Sequence, residues 1–405
     1  MMFILKIKAT IVWLLMLAVF LSLPGCSTLA MPSDSETATT SEDIIGEDES
    51  GSEKEQTAQD IEQDEEERPA ETQPEEGQME HEPEQPKLVE YNGDIYHIFF
   101  HCLIAFPEIA YSQGVNGALD TDCVTVTEFK RCLEELYKNN YILVDINSTF
   151  EVVEENGKKV VKDKKLMLPE GKKPLVMSID DMVYDPKKRG WGMVDKIILD
   201  EQGNFATYTK HKNGEEIISY DNEVIPVLEK FVKEHPDFSF NGAKATLAVT
   251  GWVGILGYRI NRLSENRQSE IEAVKPIVEK LKERGWNFAS HGYGHRRSRD
   301  ISYNLFADDT KKWRNEIESV VGPTSIYVYP YGQKLSVDDP KYKLLLDYGF
   351  KVMCGVETGP KWKNYGHSIY MARQGIDGFS LRNYKKYLEP LFDVTKIIDL
   401  ETRGT

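Results

Sequence analysis

Pro174-Leu175-Val176-Met177-Ser178-Ile179-Asp180-Asp181 is an apolar run that ends in two acids, and Trp286-Asn287-Phe288-Ala289-Ser290 runs into His291-Gly292-Tyr293-Gly294-His295. Both stretches have the length and apolar content of buried strands. In an α/β sheet or barrel the ends of parallel strands share one rim, so the acids and the imidazoles would meet there. A carboxylate and two imidazoles at that rim can hold one divalent metal. Adjacent strand residues point to opposite faces, so Asp180 and Asp181 can share a site only if the strand stops there and the chain turns. Two solvated acids at a strand end are the plainer alternative.

His291 and His295 stand four residues apart, which on a helix would place both rings on one face. Gly292 and Gly294 argue against a helix, each costing roughly 1 kcal/mol relative to alanine. No glutamate follows His291. A glycine-rich loop leaving a strand is the expected setting, and it can also fold both rings onto one ion.

Working outward, Ile95 to Ala105 reads as a first strand, Thr125-x-x-Glu128 as a capping box opening a helix to about Asn139, and Tyr141 to Ile146 as the next strand. Phe150 to Val161 alternates about Asn156-Gly157, the signature of a hairpin, expected as a peripheral insertion. A strand pair is expected around Gln202-Gly203-Asn204, then a helix over 223–234, a strand over 245–250 and a helix over 269–284. After the 286–290 strand come a helix over 308–320, a strand over 326–329, a helix over 339–348 and a strand over 350–354. A less regular tail follows. Residues 89–405 thus read as one α/β domain, a barrel of about seven units.

The N-terminus has Lys6 and Lys8, an apolar run from Ala9 to Leu23, and then Leu23-Pro24-Gly25-Cys26. That is the pattern of a lipoprotein signal peptide, residues 1–25, with Cys26 as the lipidated mature terminus. The run is short against the roughly 20 residues of a membrane-spanning helix, the other reading. Residues 26–88 hold 21 acidic residues against Lys54, Arg68 and Lys87, and have few residues able to build a core. They are expected to form a disordered acidic tether reaching on the order of 40–50 Å. A segment binding a cationic partner is the alternative. The tether's net charge of −18 equals that of the whole chain, so the remainder is close to neutral and the low pI says nothing about a substrate. Cys102, Cys123, Cys132 and Cys354 show no metal-site spacing and are expected to be buried free thiols.

These motifs resemble those of NodB-type polysaccharide deacetylases (carbohydrate esterase family 4), in a lipoprotein member. The first family motif ends in Asp-Asp, the second is His-(Ser/Thr)-x-x-His and the third contains Pro-Tyr then Gly. Ser178 to Asp181, His291 to His295 and Tyr329-Pro330-Tyr331-Gly332 follow in that order. The resemblance covers nearly all of residues 95–400 and implies a distorted (β/α)7 barrel. It implies Asp181, His291 and His295 as metal ligands, Asp180 as the general base, and the Tyr331 backbone N–H as an oxyanion donor. The ion it implies is divalent, zinc before cobalt, nickel, manganese or iron.

Four positions depart from the family pattern: Met182 replaces a glycine, Gly292 a hydroxyl residue and Val328 an arginine, and no histidine follows His367. In the branch similar to poly-N-acetylglucosamine deacetylases the motifs are permuted and the acid histidine lies on the first strand. Phe99-Phe100-His101-Cys102 resembles that element, which makes His101 the general acid and His367 the reserve. Arg373 could pair with Asp180 and hold it ionised; Trp252 and Tyr258 could stack on sugar rings or pack in the core.

The expected activity is metal-dependent removal of N-acetyl or O-acetyl groups from an extracellular or cell-wall amino-sugar polysaccharide, by a chain lipid-anchored on the outer face of the cell membrane. The alternatives are an inactive carbohydrate-binding lipoprotein on the same barrel and a metal-capturing surface lipoprotein. The expected partners are an N-acetylated polysaccharide and, through the anchor, the membrane; a nucleic acid is not among them.

Overall fold

The computed structural model of the protein describes residues 86–112 and 117–403. The signal peptide, Cys26 and nearly all of the acidic tether lie outside the described residues. Among the described residues no helix is long and apolar enough to cross a membrane.

Seven parallel strands close into a barrel: β1 (Tyr96–Phe100), β2 (Lys173–Asp180), β3 (Thr246–Val249), β4 (Asn287–Ser290), β5 (Ile326–Val328), β6 (Val352–Val356) and β7 (Ile369–Gly375). Each pairs with the next in the chain, and β7 closes on β1 through Gln374↔Ile98 and Gly375↔Phe99. Pairing around the ring is uneven, which is the distortion expected. β1 and β2 share five register pairs, whereas β4 meets β5 only at Ser290↔Tyr327.

The count of seven is right but one member differs from the sequence reading. Tyr141–Leu143 lies outside the ring, paired with Lys173 to Leu175 at the start of β2, while the end of that same edge pairs with β3. Eight residues make β2 long enough to serve both. The true seventh strand is Ile369–Gly375, in the stretch expected to be an irregular tail. All seven of its residues are buried, so it shows no alternation, and Arg373 and Gln374 disguise it as a loop.

Small and branched side chains, including Val176, Ala248, Ala289, Val328, Cys354 and Met371, fill the barrel from its strands. Alternation along the strands then points Asp180, His291 and Arg373 inward as well, two residues beyond Ser178, Ala289 and Met371. A second, larger core joins the outer strand faces to the helices. Helix α1 (Val126–Lys138) opens with the expected capping box, Thr125 and Glu128 bonding each other's backbone N–H. Helix α2 (Val224–Glu234) is capped by Glu223, and α3 (Arg267–Glu283) precedes β4.

The helix expected over 308–320 is instead α4 (Tyr303–Lys312), a π turn over Trp313–Ile317, and α5 (Glu318–Val321). Single π turns inside helices are frequent at functional sites. This one lets Trp313 Nε1 donate to the Val249 carbonyl at the end of β3. The Phe150–Glu155 and Lys158–Asp163 hairpin turns at Asn156 and Gly157, both at positive φ, and forms a separate two-stranded sheet. The pair around Gly203 gains a third strand, Glu216–Ser219. Cys102, Cys123, Cys132 and Cys354 are all buried and unpaired.

Candidate active site

β2 ends at Asp180, and the next residue, Asp181, sits at φ 57°. An L-residue rarely adopts that conformation, and it is the turn that brings both acids to one cleft. His295 (φ 48°) and Tyr331 (φ 57°) share the strained region at the ends of the other two motifs. Strain held by surrounding structure gathers at functional sites. The loop after β4 has a second requirement. Gly292 sits at φ 66°, and a Cβ there would lie 3.1 Å from Asp309 Oδ2. A hydroxyl residue would be crowded as well as strained, which accounts for that departure from the family pattern.

Asp309, on α4, accepts N–H bonds from Tyr293 (2.7 Å) and Gly294 (2.9 Å), and Glu316 accepts the Tyr293 hydroxyl at 2.8 Å. These two acids fix the His291–His295 loop. Neither was identified from sequence, because an acid on an amphipathic helix carries no mark of the loop it will meet.

The loop brings the ligand atoms of Asp181, His291 and His295 within 4.8 Å of one another. His295 Nε2 lies 3.3 Å from Asp181 Oδ2 and the two imidazole centroids are 4.8 Å apart. His291 Nδ1 donates to the Val328 carbonyl at 2.9 Å, which leaves Nε2 for an ion. Burial holds His295 down at about 4, against the pull of Asp181, so its ring is neutral near pH 7. A carboxylate and two imidazoles, one oriented through its second nitrogen, fit a divalent ion. Val328, where many family members carry arginine, orients His291 through its carbonyl.

Asp180 is 2% exposed and stands apart from this set, its Oδ2 3.8 Å from His291 Nε2. Arg373 grips it with both arms, Nη1 to Oδ1 at 2.7 Å and Nη2 to Oδ2 at 2.9 Å. Burial alone would push the Asp180 carboxyl up; the Arg373 charge overrides it and holds the group well below the usual carboxylate range. Arg373 Nη1 also reaches Ser178 Oγ (3.1 Å), which bonds His97 Nε2 (2.9 Å), and the guanidinium lies 4.3 Å from the Phe99 ring centroid.

His101 follows β1, continues the inward parity of His97 and Phe99, and lines the cleft with Asp180, Asp181, His291 and His295. Its Nδ1 donates to the Asp122 carbonyl at 2.9 Å, leaving Nε2 as the free nitrogen. His367 is exposed and precedes β7 at the opposite end of the barrel, so the structure does not bring it to the cleft. Of the two aromatics considered for sugar stacking, Trp252 is 46% exposed on the cleft, whereas Tyr258 is buried in the core. Tyr331 is also exposed on the cleft, its ring between His295 and the Arg297 guanidinium. The cleft encloses about 480 Å³.

Residues 236–353 match the family model described as polysaccharide deacetylase. His291, His295 and Tyr331 fall inside the matched stretch; the acid pair, Arg373 and His101 fall outside it. Among solved structures, the chain is similar to the Streptococcus pyogenes deacetylase PplD in complex with acetate, at 15% identity and TM-score 0.39, over 72% of this chain and 94% of that one. It is similar to a polysaccharide deacetylase from Bacillus cereus at 13% identity and TM-score 0.41, over 75% and 69%. A Bacillus anthracis protein described as a CE4 family pseudoenzyme is similar at 13% identity and TM-score 0.24, over 41% and 54%. Likenesses of this size carry no functional weight, and no curated protein matches the chain. The stretch that matches the polysaccharide deacetylase model thus carries the histidine loop, within a barrel whose strands close in chain order.

Proposed function

We propose that the protein is a metal-dependent deacetylase that removes acetyl groups, N-linked before O-linked, from an extracellular or cell-wall amino-sugar polysaccharide. The observation that carries the proposal is the separation of two functions at one strand end. Asp181 joins His291 and His295 in a ligand set, while Asp180 is kept ionised by Arg373 beside it. Metal capture alone needs no second acid held in that state.

A divalent ion at Asp181, His291 and His295, zinc by preference, would acidify a water and polarise the acetyl carbonyl, which suits a base as weak as Asp180. Asp180 takes the proton of the attacking water; the Arg373 fork occupies one lone pair on each oxygen and leaves others for it. The Tyr331 N–H would donate to the oxyanion. His101, its Nδ1–H committed to Asp122, would act with Nε2 protonated as well and give that second proton to the departing amine, which needs one to leave, returning to the Nδ1–H tautomer. Trp252 and Tyr331 offer apolar faces to sugar rings.

The proposal includes residence at the outer membrane face through lipid on Cys26; membrane fractionation of Cys26→Ser should find the chain released, and unchanged membrane association would remove the anchor from the proposal. The activity is tested with the full chain, stripped by chelator and reloaded with zinc or cobalt, on N-acetylglucosamine oligomers. Acetate should be released only after reloading. If the reloaded chain binds metal tightly yet cleaves no acetylated glycan or ester, the enzyme reading is wrong and a binding protein remains.

A further inference from the structure

Arg403 is far from the cleft in sequence and its side chain is fully buried. Nε and Nη2 grip Glu128 at 2.7 and 2.6 Å, Nη1 reaches Asp120 Oδ1 at 2.6 Å and the Asp120 carbonyl at 2.9 Å, and Nη2 reaches the Cys123 carbonyl at 3.0 Å. Those contacts use all five N–H donors of a guanidinium. Glu128 is itself fully buried, caps α1 through Thr125, and accepts the Asp399 N–H at 2.9 Å. Arg382 donates to the same Asp120 carbonyl at 3.1 Å. The segment Asp120 to Cys123 is thereby held on both sides of Asp122, whose carbonyl accepts His101 Nδ1–H. Gly378 completes the fit, since a Cβ there would fall 1.8 Å from the Asp120 carbonyl oxygen.

We propose that Arg403 is a positioning residue for the reaction: by fixing the 120–123 backbone it holds the Asp122 carbonyl where it selects the Nδ1–H tautomer of His101 and aims Nε2 into the cleft. A carbonyl accepts only from a protonated nitrogen, so its placement decides which ring nitrogen is left to exchange a proton with substrate. Five donors to three residues leave the segment little freedom, whereas a helix of six residues, Gly117–Asp122, would otherwise fray at its end. The proposal rests on His101 being the general acid of the proposed reaction.

The test uses zinc-loaded full-length chain, wild type and Arg403→Lys, with two readouts. Lysine keeps the charge but cannot reproduce the fork. The expected result is a fall in kcat on the order of 10- to 100-fold with little change in KM or metal content. The ¹⁵N-histidine NMR spectrum should show the His101 signal moving from the fixed Nδ1–H tautomer toward a mixture. If Arg403→Lys does not fold, Arg382→Gln, which loosens the same carbonyl from a partly exposed position, is read the same way. A folded variant with kcat and the His101 tautomer both unchanged overturns the proposal. So does loss of kcat with the tautomer intact. Near-normal activity in His101→Ala would instead remove the acid assignment beneath it.

Discussion

Two arginine–carboxylate pairs are buried to the same degree and do opposite things. Arg403 with Glu128 spends every donor it has on fixed partners. Arg373 with Asp180 leaves its Nε without a hydrogen-bond partner among the described residues, and the Asp180 oxygens keep lone pairs toward the cleft. A fully satisfied pair holds chain segments in place. A pair with unspent capacity facing a cavity can exchange a proton with something that enters it, so burial alone does not mark a catalytic group.

Breaking Arg373 should give the largest effect. Arg373→Met leaves a buried carboxylate unopposed, so the Asp180 carboxyl should rise and kcat at neutral pH should fall by about 10²–10⁴-fold. The sign follows from the depressed folded-state value. The pair stabilises the fold above the ordinary carboxyl pKa and loses that contribution as pH falls through the folded value. The wild-type rate should therefore show no acid limb from Asp180 in the usual carboxyl range, and the variant should show one at higher pH. A pH–rate profile unchanged by the substitution would mean that Arg373 does not control the base.

Arg403→Met should act on stability as well as on kcat, costing about 3–5 kcal/mol by urea unfolding because it strands buried Glu128. A loss under 1 kcal/mol would show that the two pairs differ less than their geometry indicates. Between them in kind stands Asp309, which touches no substrate and holds the histidine loop. Asp309→Asn should weaken zinc about 10- to 100-fold in a competition titration; unchanged affinity would mean that the loop keeps its strained shape alone. The smallest effect is expected at the cleft rim, where Trp252→Ala should raise KM by roughly fivefold with kcat retained.

The same contrast explains what could be read from the sequence. That Asp181, His291 and His295 would meet was legible because they lie at the ends of apolar strands and follow motifs in a fixed order. Asp180 and Asp181 needed only the turn that φ 57° at Asp181 supplies. The strand carrying Arg373 was not legible: buried on both faces, it lacks alternation, and a guanidinium inside a strand argues against a strand until its carboxylate is known. Tyr141–Leu143 was given a place in the ring because its apolar residues look the same whether β2 receives them inside the barrel or outside it. Asp309, Glu316 and Arg403 act across 15 to 283 residues of sequence, through contacts that no local pattern encodes.

Acetate release from N-acetylglucosamine oligomers by zinc-loaded wild type and Asp180→Asn, at matched metal content, separates the ligand set from the base. The wild type should turn over, and Asp180→Asn should bind the same zinc and lose about 10²–10⁴-fold in kcat. Equal turnover by the two proteins, or loss of zinc on substituting Asp180, would contradict the division of labour between Asp180 and Asp181.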